Sequence, residues 1–535
     1  MTTVITISAL LSLNPASSNE VYVEGYYSAG DLGGGEFYYD SGSSSTPNNG
    51  TIFQSSFIST GRWFRVLNGT RVNARWFGAY GNGSTNDTNA LQSAMDYCGI
   101  TGLGLYISKG TYIVSSASSS LFCLFIRYSN FFIEGDGFNS EIKGANGSQN
   151  AGLIILQNNS GQIQNVTVQN LNLNGNKTNQ SGTWSQKCLT IFCLTTTSTE
   201  PLNITLDGLY CHDAYSNSIN QEAGGISVLG DDFSYTLQNY ATQNIIINGC
   251  FCWNNVGWGI GTNFANGIII SGNVCWNNDS QGIALWNTQD SIVSGNRSYS
   301  NGSIGINLEI TDRITINNNS VASSEYSCIR LFNSVDININ SNDCKLNSNY
   351  YLFFGIGLIS GDGFNSGAYK TRPCQKILVS NNNIRSIGSE GYALSITTVS
   401  GFSNCNDVSV TNNYITNTVT GKGVSAFVDE FTLANNKIIG TVYNDSGAGY
   451  VTIDSNNISY LNAPSAFNLI TIGNGNKLII KGNILYANQN GNDAVALTQA
   501  ISNAILLDNN WDGFSYLYQL YGSAGTPTLR DNLNW

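Results

Sequence analysis

Two carboxyl groups lie three residues apart in a segment of the chain that repeats itself. Glu309 ends the stretch Gly305-Ile-Asn-Leu-Glu309, and Asp312 follows it at the next turn. Hydrolysis of a glycosidic bond uses a pair of carboxyl groups, one as an acid and the other as a base or nucleophile. Glu309 and Asp312 are therefore the first candidate catalytic pair.

Four further side chains are expected beside Glu309, because the neighbouring repeats share its register. Trp286 and Phe332 are predicted to flank it in one column, and Asn307 and Arg330 to lie in the next. A carboxyl group between aromatic rings loses hydration, which favours the protonated form that a general acid needs. Trp286 and Phe332 are then substrate-stacking surfaces, and Arg330 and Asn307 are predicted to hold hydroxyl or carboxylate groups of the substrate.

The same charges also have a purely structural interpretation. Glu309 is in a position to pair with Arg330, and Asp290 aligns with Arg313 one repeat later. Ion pairs of this kind require no catalytic role. Both interpretations stay open on the sequence alone.

A second acidic group surrounds the single histidine of the chain. It comprises His212, Asp213, Glu222, Asp231 and Asp232. The stretch 230–232, Gly-Asp-Asp, is similar to a motif of polygalacturonases, but Gly-Trp-Gly stands at 257–259 where their Gly-His-Gly would be sought. Glu222 and Asp232 are the second candidate catalytic pair, and His212 is expected to form hydrogen bonds rather than to act as a base.

The elements that position these residues follow from a fixed repeat. Similar stretches begin at Ile245, Ile268, Ser291, Ile314 and Ile337, each 23 residues after the last. A period of this length indicates a solenoid, and each period contains short runs that alternate apolar and polar residues between Gly and Asn. Strands that return coil after coil lie parallel, and right-handed crossovers are strongly preferred. The sequence predicts an all-β protein, a right-handed parallel β-helix.

Composition narrows the possible partners. Charged residues make up 10% of the chain, and 22 Lys and Arg against 34 Asp and Glu give a net charge of −12, so nucleic acid is not an expected partner. No run of 18 apolar residues predicts a membrane span. Cys252, Cys275 and Cys344 fall on one inward column, which indicates buried free thiols. No metal site and no cofactor are expected.

The N-terminal part does not carry the repeat. Residues 1–75 are expected to form a small β module, with strands within 30–40, 50–53 and 61–66. Residues 76–100 are expected to form a capping segment with a short helix that starts near Asp87 or Thr88. Leu91, Ala94, Met95 and Cys98 are predicted to share one face of that helix. Residues 101–535 form the β-helix in this prediction.

Three stretches of this N-terminal part resemble those of a known family. Gly-Tyr-Tyr-Ser-Ala-Gly-Asp-Leu-Gly-Gly-Gly-Glu-Phe-Tyr-Tyr-Asp at 25–40, Gly-Arg-Trp at 61–63 and Trp-Phe-Gly-Ala-x-Gly-x-Gly-x-x-x-Asp-Thr-x-Ala-Leu-Gln at 76–92 resemble bacteriophage tailspike proteins. Those belong to the pectate-lyase-like β-helix superfamily. The resemblance implies a homotrimer on the phage tail or baseplate that binds, and usually depolymerises, a bacterial capsule, exopolysaccharide or O-antigen. The chain departs from the family in showing no large separate head-binding domain.

Hydrolysis is the predicted activity, and two alternatives stay open. A polysaccharide lyase on the same fold would use a base such as Lys345, Arg330, Tyr299 or His212. A receptor-binding adhesin without catalysis would use the same aromatic and Asn columns for binding alone. A further column of Trp253, Trp276 and Tyr299 is expected to be exposed, which favours the homotrimer.

Overall fold

The structure is a computed structural model that describes most of the 535 residues. The described residues are 1–116, 121–148, 151–157, 163–182, 185–192, 202–217, 223–230, 242–323, 325–347, 354–361, 372–387, 391–400, 402–417, 421–444, 449–460, 468–473, 475–497, 501–520, 528–530 and 533–534. They fall into two compact units. The first unit comprises Met1–Phe233 and Ala241–Gly257, and the second comprises Ser234–Tyr240 and Trp258–Trp535.

The first unit begins with a small five-stranded sheet. Its strands, in spatial order, are Thr2–Val4, Glu20–Val23, Gly35–Asp40, Arg62–Arg65 and Ile52–Phe53. The first pair is parallel and the others are antiparallel. The helix Ile7–Ser12 packs its Ile7 and Leu10 against the buried face of the sheet, which includes Phe37 and Trp63. The strands expected between residues 30 and 66 are present.

The predicted capping helix runs over Thr88–Thr101. Its buried residues are Leu91, Ala94, Met95 and Cys98, as the spacing predicted. Asp87 occupies the N-cap position, but its carboxylate accepts hydrogen bonds from the backbone N–H groups of Tyr80 (2.6 Å) and Gly81 (3.0 Å) instead of from the helix. Burial raises the pKa of Asp87. Short 3-10 helices lie at Ala74–Phe77, Gly137–Asn139 and Lys177–Asn179.

The rest of the first unit is built of coils with three parallel faces. The first face holds Arg71–Asn73, Gly104–Ile107, Phe131–Gly135, Gln164–Gln169, Leu202–Asp207 and Thr242–Asn248. The second face holds Asn82–Asn86, Gly110–Val114, Ser140–Gly144, Asn172–Asn174, Tyr210–His212 and Phe251–Trp253. The third face holds Phe122–Ile126, Gly152–Leu156, Lys187–Phe192 and Gly224–Leu229.

The second unit repeats the three faces. The first face holds Ala265–Ser271, Gln289–Ser294, Asp312–Asn317, Val335–Asn340, Gln375–Ser380, Asn406–Thr411, Glu430–Ala434, Tyr450–Asp454, Gly475–Lys481, Ile501–Leu507 and Thr528–Arg530. The second face holds Val274–Trp276, Arg297–Tyr299, Ser320–Ser323, Asp343–Leu346, Asn383–Ser386, Tyr414–Asn417, Lys437–Ile439, Asn457–Tyr460 and Leu533–Asn534.

The third face of the second unit holds Trp258–Asn263, Ile283–Trp286, Ile304–Glu309, Ser327–Phe332, Phe354–Ser360, Leu394–Thr398, Lys422–Ala426, Thr441–Asn444 and Asn468–Ile472. Two long strands, Ile484–Leu497 and Asn510–Leu520, run across the second and third faces. All these pairings are parallel, and the fold is the predicted right-handed parallel β-helix.

The inward columns follow the predicted register. Ile260, Ile283, Ile306 and Ile329 pair in successive coils, and all are fully buried. Eleven cysteines among the described residues, including Cys252, Cys275 and Cys344, are buried free thiols. Within the described part of the chain, no helix is long and apolar enough to cross a bilayer.

A ladder of buried asparagines lies between the first and second faces of the second unit. Each side chain donates to the amide oxygen of the next at 2.9–3.0 Å. Its members are Asn273, Asn296, Asn319, Asn342, Asn382, Asn413, Asn436, Asn456, Asn483 and Asn509. The ladder satisfies polar groups inside the coil and fixes the vertical register.

Candidate active site

Glu309 ends the strand Ile304–Glu309 on the third face of the second unit. In the parallel register it lies between Trp286 of the preceding coil and Phe332 of the following one. Asn307 lies beside Arg330 in the same way. The structure therefore brings together five predicted site residues, Trp286, Asn307, Glu309, Arg330 and Phe332, which we call the Glu309 cluster.

Hydrogen bonds tie three members of the Glu309 cluster to one another. Arg330 donates through Nη2 to Glu309 Oε1 at 2.5 Å and through Nε to Asn307 Oδ1 at 2.9 Å. Asn307 donates through Nδ2 to the same Glu309 oxygen at 3.0 Å and to Gln281 Oε1 at 3.3 Å. The carboxylate oxygen thus accepts two hydrogen bonds, and the proposed ion pair between Glu309 and Arg330 is present.

The Glu309 cluster points away from the coil interior, yet three of its five side chains are buried. Glu309 is 6% exposed and Phe332 8%, and Asn307 is fully buried. Two aromatic rings lie over glycines of the outward column that contains Asn307 and Arg330. A Cβ at Gly261 would lie 2.3 Å from Trp258 Nε1, and one at Gly357 would lie 2.9 Å from the Phe354 ring.

At Gly261 and Gly357 the outward side of the strand is therefore occupied by an aromatic ring. Gly261 and Gly357 occupy the column that also contains Asn307 and Arg330. The Trp258 ring also lies 4.8 Å from that of Trp286. Neither Trp258 nor Gln281 was predicted as a site residue, although glycine in an otherwise bulky outward column is a sequence signal for a close approach.

The charge of Arg330 is held in a poorly hydrated environment. Burial lowers the pKa of its guanidinium, and the charge of Glu309 opposes this effect. The guanidinium carbon also lies 5.9 Å above the Phe332 ring. An arginine that is desolvated and paired in this way fixes the position of the Glu309 carboxylate.

Asp312 belongs to a different local network. The chain bends between the two carboxyl groups at Ile310, whose φ of 56° is left-handed. Arg372 donates to both Asp312 carboxylate oxygens, at 2.9 and 3.0 Å, and to the Thr311 carbonyl oxygen at 2.8 Å. Glu309 and Asp312 are therefore each paired with a different arginine. The role of Arg372 was not predicted, because the ion pair joins residues 60 positions apart.

The second structural ion pair is also confirmed. Arg313 donates to both carboxylate oxygens of Asp290, at 2.5 and 2.8 Å, on the first face. This hydrogen bond lowers the pKa of Asp290. Both groups are close to half exposed, so the pair is a surface ion pair.

His212 lies on the second face of the first unit, stacked on Trp253 with ring centroids 4.2 Å apart. Its Nδ1 lies 2.5 Å from Asp213 Oδ2, and its Nε2 lies 2.9 Å from Asn172 Oδ1. Burial alone would raise the pKa of Asp213, but hydrogen bonds from His212 and Asn254 lower it. The other predicted members of this group, Glu222, Asp231 and Asp232, lie outside the described residues.

The aromatic column expected to be bare is half-buried. In the second unit the rings of Trp276 and Tyr299 stack at 6.2 Å with an interplanar angle of 7°. In the first unit Trp253 stacks on His212. Mutual stacking removes ring faces from water, so this column offers less apolar surface than the sequence suggested.

Among the described residues, no three or more His, Cys, Asp or Glu side chains lie together in a way that would hold a metal ion.

The described strands form a right-handed parallel β-helix that carries polar and aromatic side chains on its outer side. Residues 71–350 match the family described as rhamnogalacturonase A/epimerase, pectate lyase-like. This match spans more than half of the chain, and the chain belongs to that family. Residues 3–68 match the phage tail protein small four-stranded β-sheet domain. A comparison with curated proteins finds no match.

Several solved structures are similar in fold at low sequence identity. The A-module of mannuronan C-5 epimerase AlgE6 from Azotobacter vinelandii is 16% identical, with a TM-score of 0.41, over 86% of this chain and 99% of that one. Tailspike protein gp49 of Acinetobacter baumannii bacteriophage Fri1 is 12% identical, with a TM-score of 0.43, over 98% and 76%. The Dettilon tailspike protein gp208 is 16% identical, with a TM-score of 0.44, over 78% and 66%.

Proposed function

We propose that this protein is a bacteriophage tailspike that binds and depolymerises a bacterial surface polysaccharide by glycosidic hydrolysis. One observation carries the proposal. The phage tail protein domain at residues 3–68 and the pectate lyase-like family at 71–350 adjoin each other in a single chain. The first supports a place on the virion tail, and the second supports a polysaccharide substrate.

Glu309 is the proposed catalytic carboxylate. Its Oε1 accepts hydrogen bonds from Arg330 and Asn307, so the role it suits is that of a base or nucleophile rather than an acid. A buried carboxylate held by two donors needs little reorganisation during reaction. Asp312 is the proposed second carboxyl group, and Glu222 and Asp232 remain the alternatives.

Trp286 and Arg330 are the proposed contacts for the substrate. Both are partly exposed, whereas Asn307 and Phe332 are buried. Asn307 accepts a hydrogen bond from Arg330 Nε, and the Arg330 guanidinium lies over the Phe332 ring. The indole face of Trp286 suits the C–H face of a sugar ring, and the Arg330 guanidinium suits hydroxyl or carboxylate oxygens.

A polysaccharide lyase is the second candidate, and the state of Arg330 favours it. Burial lowers the pKa of this guanidinium, which is the direction that a basic catalyst requires. A uronic acid substrate would also bring a carboxylate that a cation must neutralise. A non-catalytic adhesin is the third candidate, favoured by the near-complete burial of Glu309.

The proposed assembly is a homotrimer. Ile269 and Ile292 occupy one outward column on the first face of the second unit, at 37% and 40% exposure. Contact with another copy along this face would cover both apolar side chains. Sedimentation at micromolar concentration tests this assembly, and a monomer would contradict it.

One experiment separates the three candidates. The protein is incubated with a panel of purified capsules, exopolysaccharides and lipopolysaccharides, while reducing ends and the ultraviolet absorbance of unsaturated sugars are followed. A hydrolase releases reducing ends alone, a lyase also produces the absorbance, and an adhesin retains polymer without either signal. Release of unsaturated sugar would overturn the hydrolase in favour of the lyase.

A further inference from the structure

Five aromatic side chains form a continuous patch on the second face of the first unit. Tyr210 stacks on Phe251 at 5.1 Å and 7°, and His212 stacks on Trp253 at 4.2 Å and 14°. Both pairs are in strict parallel register, in two neighbouring outward columns. We call Phe138, Tyr210, His212, Phe251 and Trp253 the His212 patch.

Phe138 presents the patch to solvent. It lies in the 3-10 helix Gly137–Asn139 and is 55% exposed, although it contacts other rings. Its ring centroid is 5.5 Å from that of Tyr210 and 6.4 Å from those of His212 and Trp253. These contacts join the five rings into one connected aromatic surface.

The hydrogen bonds of His212 explain how the patch is held. Asn172 donates through Nδ2 to the Phe138 carbonyl oxygen at 3.2 Å, so its Oδ1 faces His212 Nε2 as an acceptor. The Asp213 carboxylate faces Nδ1 as a second acceptor. Both ring nitrogens therefore face side-chain oxygens, and the ring stacks on Trp253. These contacts suit His212 to position the rings.

A row of hydrogen-bonding groups continues the patch. Thr111, Glu141 and Asn172 precede Tyr210 in the same column of successive coils. Thr111 Oγ1 and Asn174 Nδ2 both donate to Glu141, at 2.9 and 2.7 Å. The surface thus passes directly from polar groups to stacked rings. A sugar chain offers both hydroxyl groups and apolar ring faces, which matches this succession.

We infer that the His212 patch is a second polysaccharide-contact surface, separate in sequence and unit from the Glu309 cluster. A second copy of the chain fits less well, because a stable protein interface buries about 800 Å² on each partner. Phe138 is the one apolar member of the patch with a largely exposed side chain. The inference takes its class of ligand from the proposed function. The experiment below distinguishes a failure of the inference from a failure of the proposed function.

The test uses the full chain with Glu309→Gln, so that bound polymer is not cleaved. Binding is measured by affinity electrophoresis in gels containing the capsule, exopolysaccharide or O-antigen that most retards the protein. Phe138→Ala is added to remove the exposed ring, and Phe138→Trp to retain one. Phe57→Ala is the matched control, since Phe57 is 58% exposed in the N-terminal module. Circular dichroism confirms that each variant is folded.

Phe138→Ala is expected to weaken binding roughly 3- to 10-fold, the range for losing one aromatic contact. Phe138→Trp and Phe57→Ala are expected to bind like the Glu309→Gln parent. Unchanged binding by Phe138→Ala overturns the inference while leaving the proposed function intact. Weakened binding without any cleavage by the unmutated protein supports the patch and overturns the depolymerase. If no polymer binds any variant, both are overturned.

Discussion

Arg330 Nη2 lies 2.5 Å from Glu309 Oε1 across two adjacent parallel strands, in a place where both side chains are largely shielded from water. The guanidinium also holds Asn307, so one cation organises the polar part of the cluster. Burying two charges is costly, and their mutual attraction offsets that cost only while both are present. The pair therefore makes the site sensitive to the loss of either partner.

Removing the cation alone should destabilise the protein strongly. In Arg330→Met, Glu309 stays buried with Asn307 as its one remaining donor among the described contacts. Breaking a buried pair in this way costs about 3 to 5 kcal/mol, whereas replacing both partners by apolar residues costs far less. Urea unfolding should thus show a larger loss for Arg330→Met than for the double variant Arg330→Met with Glu309→Leu. Equal losses would mean that the pair is not desolvated.

The 23-residue period made several of these contacts predictable. It placed Trp286, Glu309 and Phe332 in one outward column and Asn307 and Arg330 in the next, and the strand register agrees. Once the period of a parallel coil is known, the register of its strands is fixed. A slip by one residue would move every apolar side chain of a strand out of the core.

The period does not predict which of the outward-pointing side chains of the coil are buried. Alternation tells which way a side chain points, but not whether another ring lies on top of it. Trp258 covers Gly261 because that glycine has no Cβ, and this contact is a matter of rotamer rather than register. The Arg372 pair with Asp312 could not be predicted either, because the two residues are 60 positions apart and the segment between them includes an insert without the repeat.

Asp31 should make the N-terminal module sensitive to acid. Its carboxylate accepts hydrogen bonds from the backbone N–H groups of Tyr26, Tyr27, Ser28 and Gly33, at 2.7–3.0 Å. Burial opposes ionisation, but these four bonds prevail and lower the pKa of Asp31. A lowered pKa stabilises the fold above the unfolded value of about 3.9, and that contribution is lost as pH falls through the folded value.

The variant Asp31→Asn isolates this contribution. It should be less stable than the parent near pH 7, and the difference between their melting temperatures should shrink as pH falls below about 4. Thermal unfolding of both proteins between pH 7 and pH 3 measures it. A difference that stays constant across this range would show that the charge of Asp31 contributes nothing.

Removing one side chain from the asparagine ladder should lower the stability of the protein. Asn319 donates to Asn342 Oδ1 and to the Val293 carbonyl oxygen, and it accepts from Asn296. Asn319→Ala removes the acceptor of the buried Asn296 backbone N–H and one donor each from Asn342 Oδ1 and the Val293 carbonyl oxygen. A buried polar group left without its partner costs about 1 to 3 kcal/mol. Asn317→Ala is the control, because the Asn317 amide oxygen already lacks a hydrogen-bond partner. Denaturant unfolding should separate the two variants, and equal stability would contradict the ladder's role.

The catalytic proposal depends most directly on Glu309 and Trp286. Glu309→Gln keeps the size of the side chain and an oxygen acceptor for Arg330, but it cannot take or give a proton. A hydrolase that uses this carboxylate should lose at least about 10²-fold in the rate of polymer cleavage, with binding retained. Trp286→Ala removes a partly exposed ring outside the coil interior, so it should weaken polysaccharide binding and leave the fold intact. Reducing-end release and affinity electrophoresis on the same polymer measure the two effects. Cleavage at the parent rate by Glu309→Gln would remove the Glu309 cluster as the active site and direct the search to Glu222 and Asp232.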